Sequence, residues 1–100
     1  MVITITGGGL VRSYATRMGT DALKRGLGAA IRMRRAKENL GKEQFAQMVG
    51  INRLTLRKIE TGVANPQLDI LIKIAGGLNV PLSTLFAEGE GIALEWDSEV

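Results

Sequence analysis

The sequence predicts an all-α domain of five helices, with short strand-forming extensions at its two ends. Apolar residues recur at intervals of three and four between residues 22 and 86, which is the spacing of amphipathic helices. Proline or a capping residue stands near the start of several of these segments. The chain has 100 residues, of which 45% are apolar, so it can form one compact core but not two.

We expect the helices near residues 22–39, 42–49, 52–61, 67–76 and 81–86, and a short additional helix over Leu10 to Met18. The apolar stripe of the first helix begins at Leu23, and that of the fourth is broad. The predicted core residues are Leu23, Leu27 and Ile31, then Leu68, Leu71, Ile72, Ala75 and Leu78, with Leu40, Val80 and Leu85 closing the core. Gly76 and Gly77 are poor helix formers, so the fourth helix is expected to fray or end early.

Residues 42–61 have the spacing of a helix-turn-helix. Ala46 and Gly50 are small where two helices joined by a tight turn must nearly touch, and glycine also suits the positive φ that ends a helix. Asn52 can cap the second helix by accepting a hydrogen bond from a free backbone N–H. Leu56 and Ile59 lie on one face of that helix and are expected to pack against the first.

The opposite face of the second helix is basic. Arg53, Leu54, Arg57 and Lys58 point away from the predicted core, as expected of a helix that reads DNA. The same pattern of alanine, glycine and aliphatic residues also fits an ordinary helical hairpin with a solvated face, and the segment alone leaves both interpretations open.

The charge of the chain is divided between its halves. Residues 1–58 contain twelve Lys and Arg residues and three acidic residues, whereas residues 59–100 contain one lysine and seven acidic residues. A basic surface that replaces the counterions of phosphates is typical of nucleic-acid binding, although basic runs on helices are often only solvated. The predicted patch consists of Lys24, Arg25, Arg32, Arg34, Arg35, Lys37, Lys42, Arg53, Arg57 and Lys58.

Three segments in register resemble the Cro and phage-repressor family, the XRE-like helix-turn-helix proteins. They are LGAAIRMRR, NLGKEQFAQMVGINRLTLRKIETG and NPQLDILIKIAGGLNVPLSTLF, between Leu27 and Phe86. The family usually opens its first motif helix with a small hydroxyl residue and glutamine, but Gly41 and Lys42 stand there in this chain. Lysine still meets phosphate as a point charge, but it orients a neighbouring side chain less well than glutamine does.

The resemblance implies a five-helix, repressor-like domain that binds double-stranded DNA as a homodimer on a palindromic operator. Base-reading roles fall to Arg53, Leu54, Arg57 and Lys58, because guanidinium and ammonium groups recognise guanine and leucine contacts a thymine methyl. The resemblance also places Arg35 beside Glu60, an ion pair that ties the recognition helix to the scaffold. The predicted phosphate contacts are Arg35, Lys42 and Thr61.

Other classes of function have less support in the sequence. The chain contains no cysteine and no histidine, so it lacks disulfides, thiolate sites and the usual general base, and we expect no enzyme activity, no metal and no cofactor. No apolar run is long enough to span a bilayer, and MVITIT is too short for a signal peptide. A cytoplasmic protein without membrane contact is therefore expected.

The termini lie outside the resemblance, and we divide the chain into an extension at 1–21, a helix-turn-helix domain at 22–87 and an acidic tail at 88–100. Val2, Ile3 and Ile5 are strand-forming, and Ile92, Leu94 and Trp96 alternate as in a half-buried strand. These strands are expected to pair across a dimer or to pack against the fifth helix. The alternative function is that of an antitoxin, whose tails bind a partner toxin and which regulates its own promoter.

Overall fold

The computed structural model describes residues 3–6, 9–12 and 19–98 of the protein, and its side chains from residue 19 to residue 96. Within these residues, a β-hairpin precedes five helices. Its strands are β1, Ile3–Thr6, and β2, Gly9–Arg12. The helices are α1, Thr20–Lys37, α2, Lys42–Val49, α3, Arg53–Glu60, α4, Leu68–Gly77, and α5, Leu82–Ser98. The prediction of five helices with a strand-forming N-terminal extension is confirmed.

The N-terminal strand was expected to pair across a dimer or to pack against the fifth helix, but it pairs with β2 of its own chain. β1 pairs with β2 in an antiparallel register that sets Ile3 opposite Arg12 and Thr6 opposite Gly9. The strand expected at Ile3 and Ile5 therefore pairs with the neighbouring segment of its own chain and not with the C-terminal tail. The helix predicted from Leu10 is wrong at its start, because residues 10–12 belong to β2. The remainder of that prediction, and Val2, lie outside the described residues.

The core lies between α1, the helix-turn-helix and the two last helices. It consists of Leu27, Ile31, Phe45, Ala46, Leu56, Ile59, Leu71, Ile74, Ala75, Leu78 and Leu85, with Leu40, Val49, Ile51 and Val80 partly buried against it. Two predicted core residues are exposed, Leu68 at 61% and Ile72 at 54%, and a third, Leu23, is only partly buried and lies outside the core cluster. α4 instead turns Ile74 inward, because Leu71, Ile74, Ala75 and Leu78 form a stripe with helical spacing.

α4 continues to Gly77, so the prediction that its glycines would end the helix early is wrong. Gly77 faces α2, where a Cβ atom on this residue would overlap Val49 Cγ1 and lie 3.1 Å from Phe45 Cε1. The absence of a side chain at Gly77 therefore lets α2 and α4 pack closely. This packing offsets the helix propensity that glycine lacks.

α5 is much longer than the helix expected near residues 81–86, because it continues through the predicted acidic tail to Ser98. The strand predicted at Ile92, Leu94 and Trp96 is wrong. Close packing on α1 explains the helix, because a Cβ on Gly26 would overlap the carbonyl oxygen of Gly89 and one on Gly89 would lie 2.8 Å from Leu27 Cα.

An ion pair reinforces the contact between α1 and α5. Arg34 donates from Nε to Glu88 Oε1 and from Nη2 to Glu88 Oε2, each at 2.7 Å. The hydrogen bonds from Arg34 hold the pKa of the Glu88 carboxyl below its ordinary value. Because both side chains are partly exposed, this pair adds little to stability.

Candidate nucleic-acid interface

The turn between α2 and α3 depends on Gly50. This residue has φ 75°, in the left-handed region that glycine adopts without strain, and it ends α2. The backbone N–H of Ile51 donates to the carbonyl oxygen of Ala46 at 2.9 Å, as in an ordinary helix C-terminus. A Cβ on Gly50 would meet no atom within 4 Å. The left-handed conformation of Gly50, and not crowding, therefore requires glycine here. Ala46, by contrast, is buried in the core.

Asn52 fixes the start of α3, as predicted. Its side-chain oxygen accepts a hydrogen bond from the backbone N–H of Leu54 at 2.7 Å, and its own backbone is extended. This is the geometry of a helix N-cap, which stabilises a helix by about 1 kcal/mol. Gly50 and Asn52 together set the direction in which α3 leaves the turn.

α3 has a buried face and an exposed face. Leu56 is completely buried and Ile59 is 2% exposed, and both belong to the same core cluster as Phe45 of α2. On the other face, the four predicted base-reading side chains are exposed, including Leu54 at 54%. The exposed residues are Arg53, Leu54, Arg57 and Lys58. Their contact with DNA bases stays a prediction, and their exposure is what such contact requires.

A buried ion pair ties α3 to α1, at the positions that the resemblance implied. Arg35 donates from Nε to Glu60 Oε2 and from Nη2 to Glu60 Oε1, each at 2.8 Å, while its Nη1 donates to the carbonyl oxygen of Leu40 at 2.8 Å. The side chains are 10% and 1% exposed. The hydrogen bonds to Glu60 raise the pKa of Arg35, so the guanidinium stays charged.

The three predicted phosphate contacts occupy different environments. Arg35 is buried, and each of its three nitrogens donates one hydrogen bond within the protein, so its first role is to support α3; its contact with a phosphate stays a prediction. Lys42 is exposed at the first residue of α2. Thr61 is exposed directly after α3, and its hydroxyl donates to the carbonyl oxygen of Arg57 at 2.9 Å.

An open polar groove lies between the N-terminal part of α2 and α3. Glu43, Gln44 and Gln47, which were not predicted from the sequence, contribute to it. Glu43 Oε2 lies 3.8 Å from Arg53 Nη1, which is a long ion pair. Gln44 and Gln47 are exposed and three residues apart in α2, and this spacing on one helix face could have predicted a polar groove here. The lining residues are Gly41, Lys42, Glu43, Gln44, Gln47, Arg53 and Arg57.

Two features of the described residues bear on other functions. No cluster of three or more acidic residues within residues 19–98 is arranged to hold a metal ion. No single described helix is long and apolar enough to cross a membrane, and only α4 and α5 taken together, with a bend of 99° between them, have the required length and composition. Tightly packed core helices often share that composition.

Comparisons with known proteins agree with this geometry. The sequence profile of the helix-turn-helix family HTH_3 matches residues 31–85. The control protein C.MunI from a Mycoplasma species is 37% identical over 59 residues, which is 59% of this chain and 80% of that protein. An HTH-type transcriptional regulator from Archaeoglobus fulgidus is 38% identical over 52 residues, which is 52% of this chain and 73% of that one.

The fold is also found in a solved structure, the restriction-modification controller protein C.AhdI from Aeromonas hydrophila. It superimposes with a TM-score of 0.60 and 27% identity, over 67% of this chain and 98% of that one. The matched region contains α2, the turn at Gly50 and α3. The chain therefore belongs to the HTH_3 family of helix-turn-helix proteins, which are DNA-binding transcription regulators.

Proposed function

We propose that the protein is a repressor that binds a palindromic operator in double-stranded DNA as a homodimer, with α3 in the major groove. The observation that carries this proposal is the exposed basic face of α3, Arg53 to Lys58, on a helix held by the buried pair Arg35–Glu60. A helix entering the major groove needs exposed side chains on one face and a fixed orientation on the other. Occupancy of the operator would regulate transcription without catalysis.

The roles of the side chains follow from their chemistry. Arg53 and Lys58 are the candidates for guanine, since each can donate to the two acceptors on its major-groove edge, and Leu54 can contact a thymine methyl. Arg57 lies between them and can reach a base or a phosphate. Lys42 and Thr61 lie at the start of α2 and after α3, where contacts with the DNA backbone would fix the register.

We expect Arg53→Ala to weaken binding to the preferred operator by about 1–3 kcal/mol and to change binding to a scrambled duplex little, because a bidentate base contact is lost. The operator comes from selection of bound sequences out of a random DNA pool, and fluorescence anisotropy gives both affinities. Lys42→Ala is the control, since loss of a phosphate contact weakens both duplexes alike. An equal loss on both duplexes with Arg53→Ala would reassign that residue to the backbone.

The dimer in this proposal is supported by the outer face of α4. Leu68 and Ile72 are one turn apart and more than half exposed. Asp69 and Lys73 flank this strip with opposite charges, also four residues apart. In an antiparallel contact between two copies of α4, each aspartate faces the lysine of the other copy, so the strip is complementary to itself.

The second prediction tests this dimer. We expect Ile72→Asp to raise the dissociation constant of the dimer by about tenfold or more, because the contact would bury an unpaired carboxylate at a cost above about 1.4 kcal/mol. Sedimentation velocity measures the change, and operator affinity should fall with it. Met33→Asp is the matched control, since Met33 of α1 is also an exposed apolar residue, at 62%. Equal effects of the two variants would remove α4 from the interface.

The alternative of an antitoxin is not favoured by the relatives described above, whose names are those of a control protein, a controller and a transcriptional regulator. One of these relatives is named a control protein and another a restriction-modification controller protein, and a controller role for this chain is compatible with the proposed repressor. The proposed repressor acts on DNA in the cytoplasm, without an enzyme activity or a cofactor.

A further inference from the structure

One side of α1 meets the C-terminal end of α3, and Gly28 is the point of contact. A Cβ atom there would overlap the carbonyl oxygen of Ile59 and would lie 2.6 Å from that of Glu60. Arg25 lies three residues before Gly28 and Arg32 four residues after it, so both fall on this side of the helix. The two arginines therefore bracket the end of the recognition helix, and we call them the α1 arginine pair.

The position of Arg25 is the better defined of the two. A Cβ on Gly62 would lie 2.6 Å from Arg25 Cγ and 2.8 Å from Arg25 Cα, so the backbone of α1 packs directly on the turn that follows Thr61. Gly62 has φ 77°, and this left-handed residue reverses the chain after α3. The stem of Arg25 thus lies beside the turn, while the residue as a whole is exposed.

The α1 arginine pair differs from the other arginines of α1 in its partners. Arg34 is paired with Glu88 and Arg35 with Glu60. Arg25 and Arg32 are both exposed, and within residues 19–96 neither makes an ion pair or a side-chain hydrogen bond. Asp21 lies one turn before Arg25 without forming a bridge to it. Two charged, unengaged guanidinium groups therefore remain beside the end of α3.

We propose that the α1 arginine pair binds backbone phosphates of duplex DNA on the flank of the groove that α3 occupies, a step that rests on the proposed function. A guanidinium matches a phosphate with two parallel N–H donors, and its weak hydration favours that contact. Arg25 precedes residue 31, where the family profile begins, whereas Arg32 lies just inside it, so the Arg25 contact is the part of the pair that lies outside the shared motif.

The contact is with phosphate and not with bases because of where the pair lies. Arg25 and Arg32 stand on a neighbouring helix, beside the end of α3, and not on the exposed face that carries Arg53 and Leu54. A helix in the major groove brings the sugar-phosphate strands, and not the base edges, toward the elements that flank it. The pair should therefore add affinity that does not depend on DNA sequence.

The test compares Arg25→Gln and Arg32→Gln with Lys37→Gln in the full chain. Lys37 was included in the basic patch predicted from the sequence, but in the structure it lines the groove between α1 and α5, on another side of the helix. It is the matched control because it is an exposed cation of the same helix that does not lie beside α3. Each protein is titrated with an operator selected from a random pool and with a scrambled duplex, over about 50 to 200 mM salt. The plot of log K against log salt has a negative slope. We expect each arginine variant to make it shallower by about 0.9 per protomer, and equally on both duplexes.

The outcomes separate this proposal from the one on which it rests. Arg25→Lys should keep the slope, because the charge remains. If the unchanged protein binds DNA but Arg25→Gln and Arg32→Gln have the same slope as Lys37→Gln, the proposal for the α1 arginine pair is wrong and the proposed function is unaffected. Loss confined to the operator would also overturn it, since it would indicate base contacts. Failure of the unchanged protein to bind either duplex would overturn the proposed function and this inference together.

Discussion

Glu60→Ala is expected to lower the free energy of unfolding by about 3–5 kcal/mol, because it leaves the guanidinium of Arg35 buried without its carboxylate. The pair is enclosed, with the Glu60 side chain only 1% exposed, and two of the three hydrogen bonds of Arg35 end on that carboxylate. Water cannot replace them without opening the contact between α1 and α3. Denaturant unfolding followed by circular dichroism measures the loss.

Glu88→Ala is the matched control, since it removes a carboxylate from an arginine of the same helix. The Arg34–Glu88 pair has equally short hydrogen bonds, but its side chains are 32% and 40% exposed. Water can therefore solvate Arg34 after the change, and we expect a loss of about 0–1 kcal/mol. Equal losses for the two variants would show that burial does not set the strength of the Arg35–Glu60 pair.

A double variant separates stability from DNA binding. Arg35→Met combined with Glu60→Leu replaces the charges by apolar groups, which often restores or exceeds the stability of a buried pair. If the pair also sets the orientation of α3, this variant should fold as stably as the unchanged protein and still bind the operator less well. The role of the pair in the proposed DNA contact would then be orientation.

The helix-turn-helix could be predicted from the sequence because its signals are local. A left-handed glycine at Gly50 and an N-cap at Asn52 act within one or two residues, so they fix the ends of α2 and α3 without help from the remainder of the fold. The ion pair of Arg35 and Glu60 is not local, being separated by 25 residues, and only the family resemblance indicated it.

The predictions for α4 and α5 were wrong because tertiary packing, and not the local sequence, decides which residues are buried and whether a segment is a helix or a strand. α4 has apolar residues on most of its circumference, so periodicity could not show that Ile74 is buried and Ile72 exposed. In α5, the alternation of Ile92 and Leu94 fits a strand, and Gly89 weakens a helix. Contact of Gly89 with the backbone of α1 near Leu27 outweighs both tendencies.

The burial of Arg35 could not be predicted from the sequence for a related reason. Residue type and position show that an arginine is near the recognition helix, but not whether its nitrogens are already engaged. Glu60 and the carbonyl oxygen of Leu40 use all three. Arg25 belongs to the same predicted patch but makes no such contacts in the part of the chain that is described, so its guanidinium is available for the phosphate contact proposed above.

The affinity for the operator is expected to fall by roughly a thousandfold or more between about 50 and 200 mM salt, if a dimer neutralises about six or more phosphates. Each protomer exposes Lys42, Arg53, Arg57 and Lys58 on or beside the groove between α2 and α3. Two protomers thus supply enough cations even when some of them contact bases. Fluorescence anisotropy with the selected operator over that range measures the slope.

The size of the slope distinguishes the two sources of affinity on this surface. Phosphate contacts release counterions and depend on salt, whereas hydrogen bonds to base edges and the contact of Leu54 with a methyl group do not. Lys42→Gln should therefore flatten the curve, and Lys37→Gln should not. Tight binding with a flat curve would contradict the electrostatic part of the proposal, and it would assign the affinity to the base-reading residues of α3 alone.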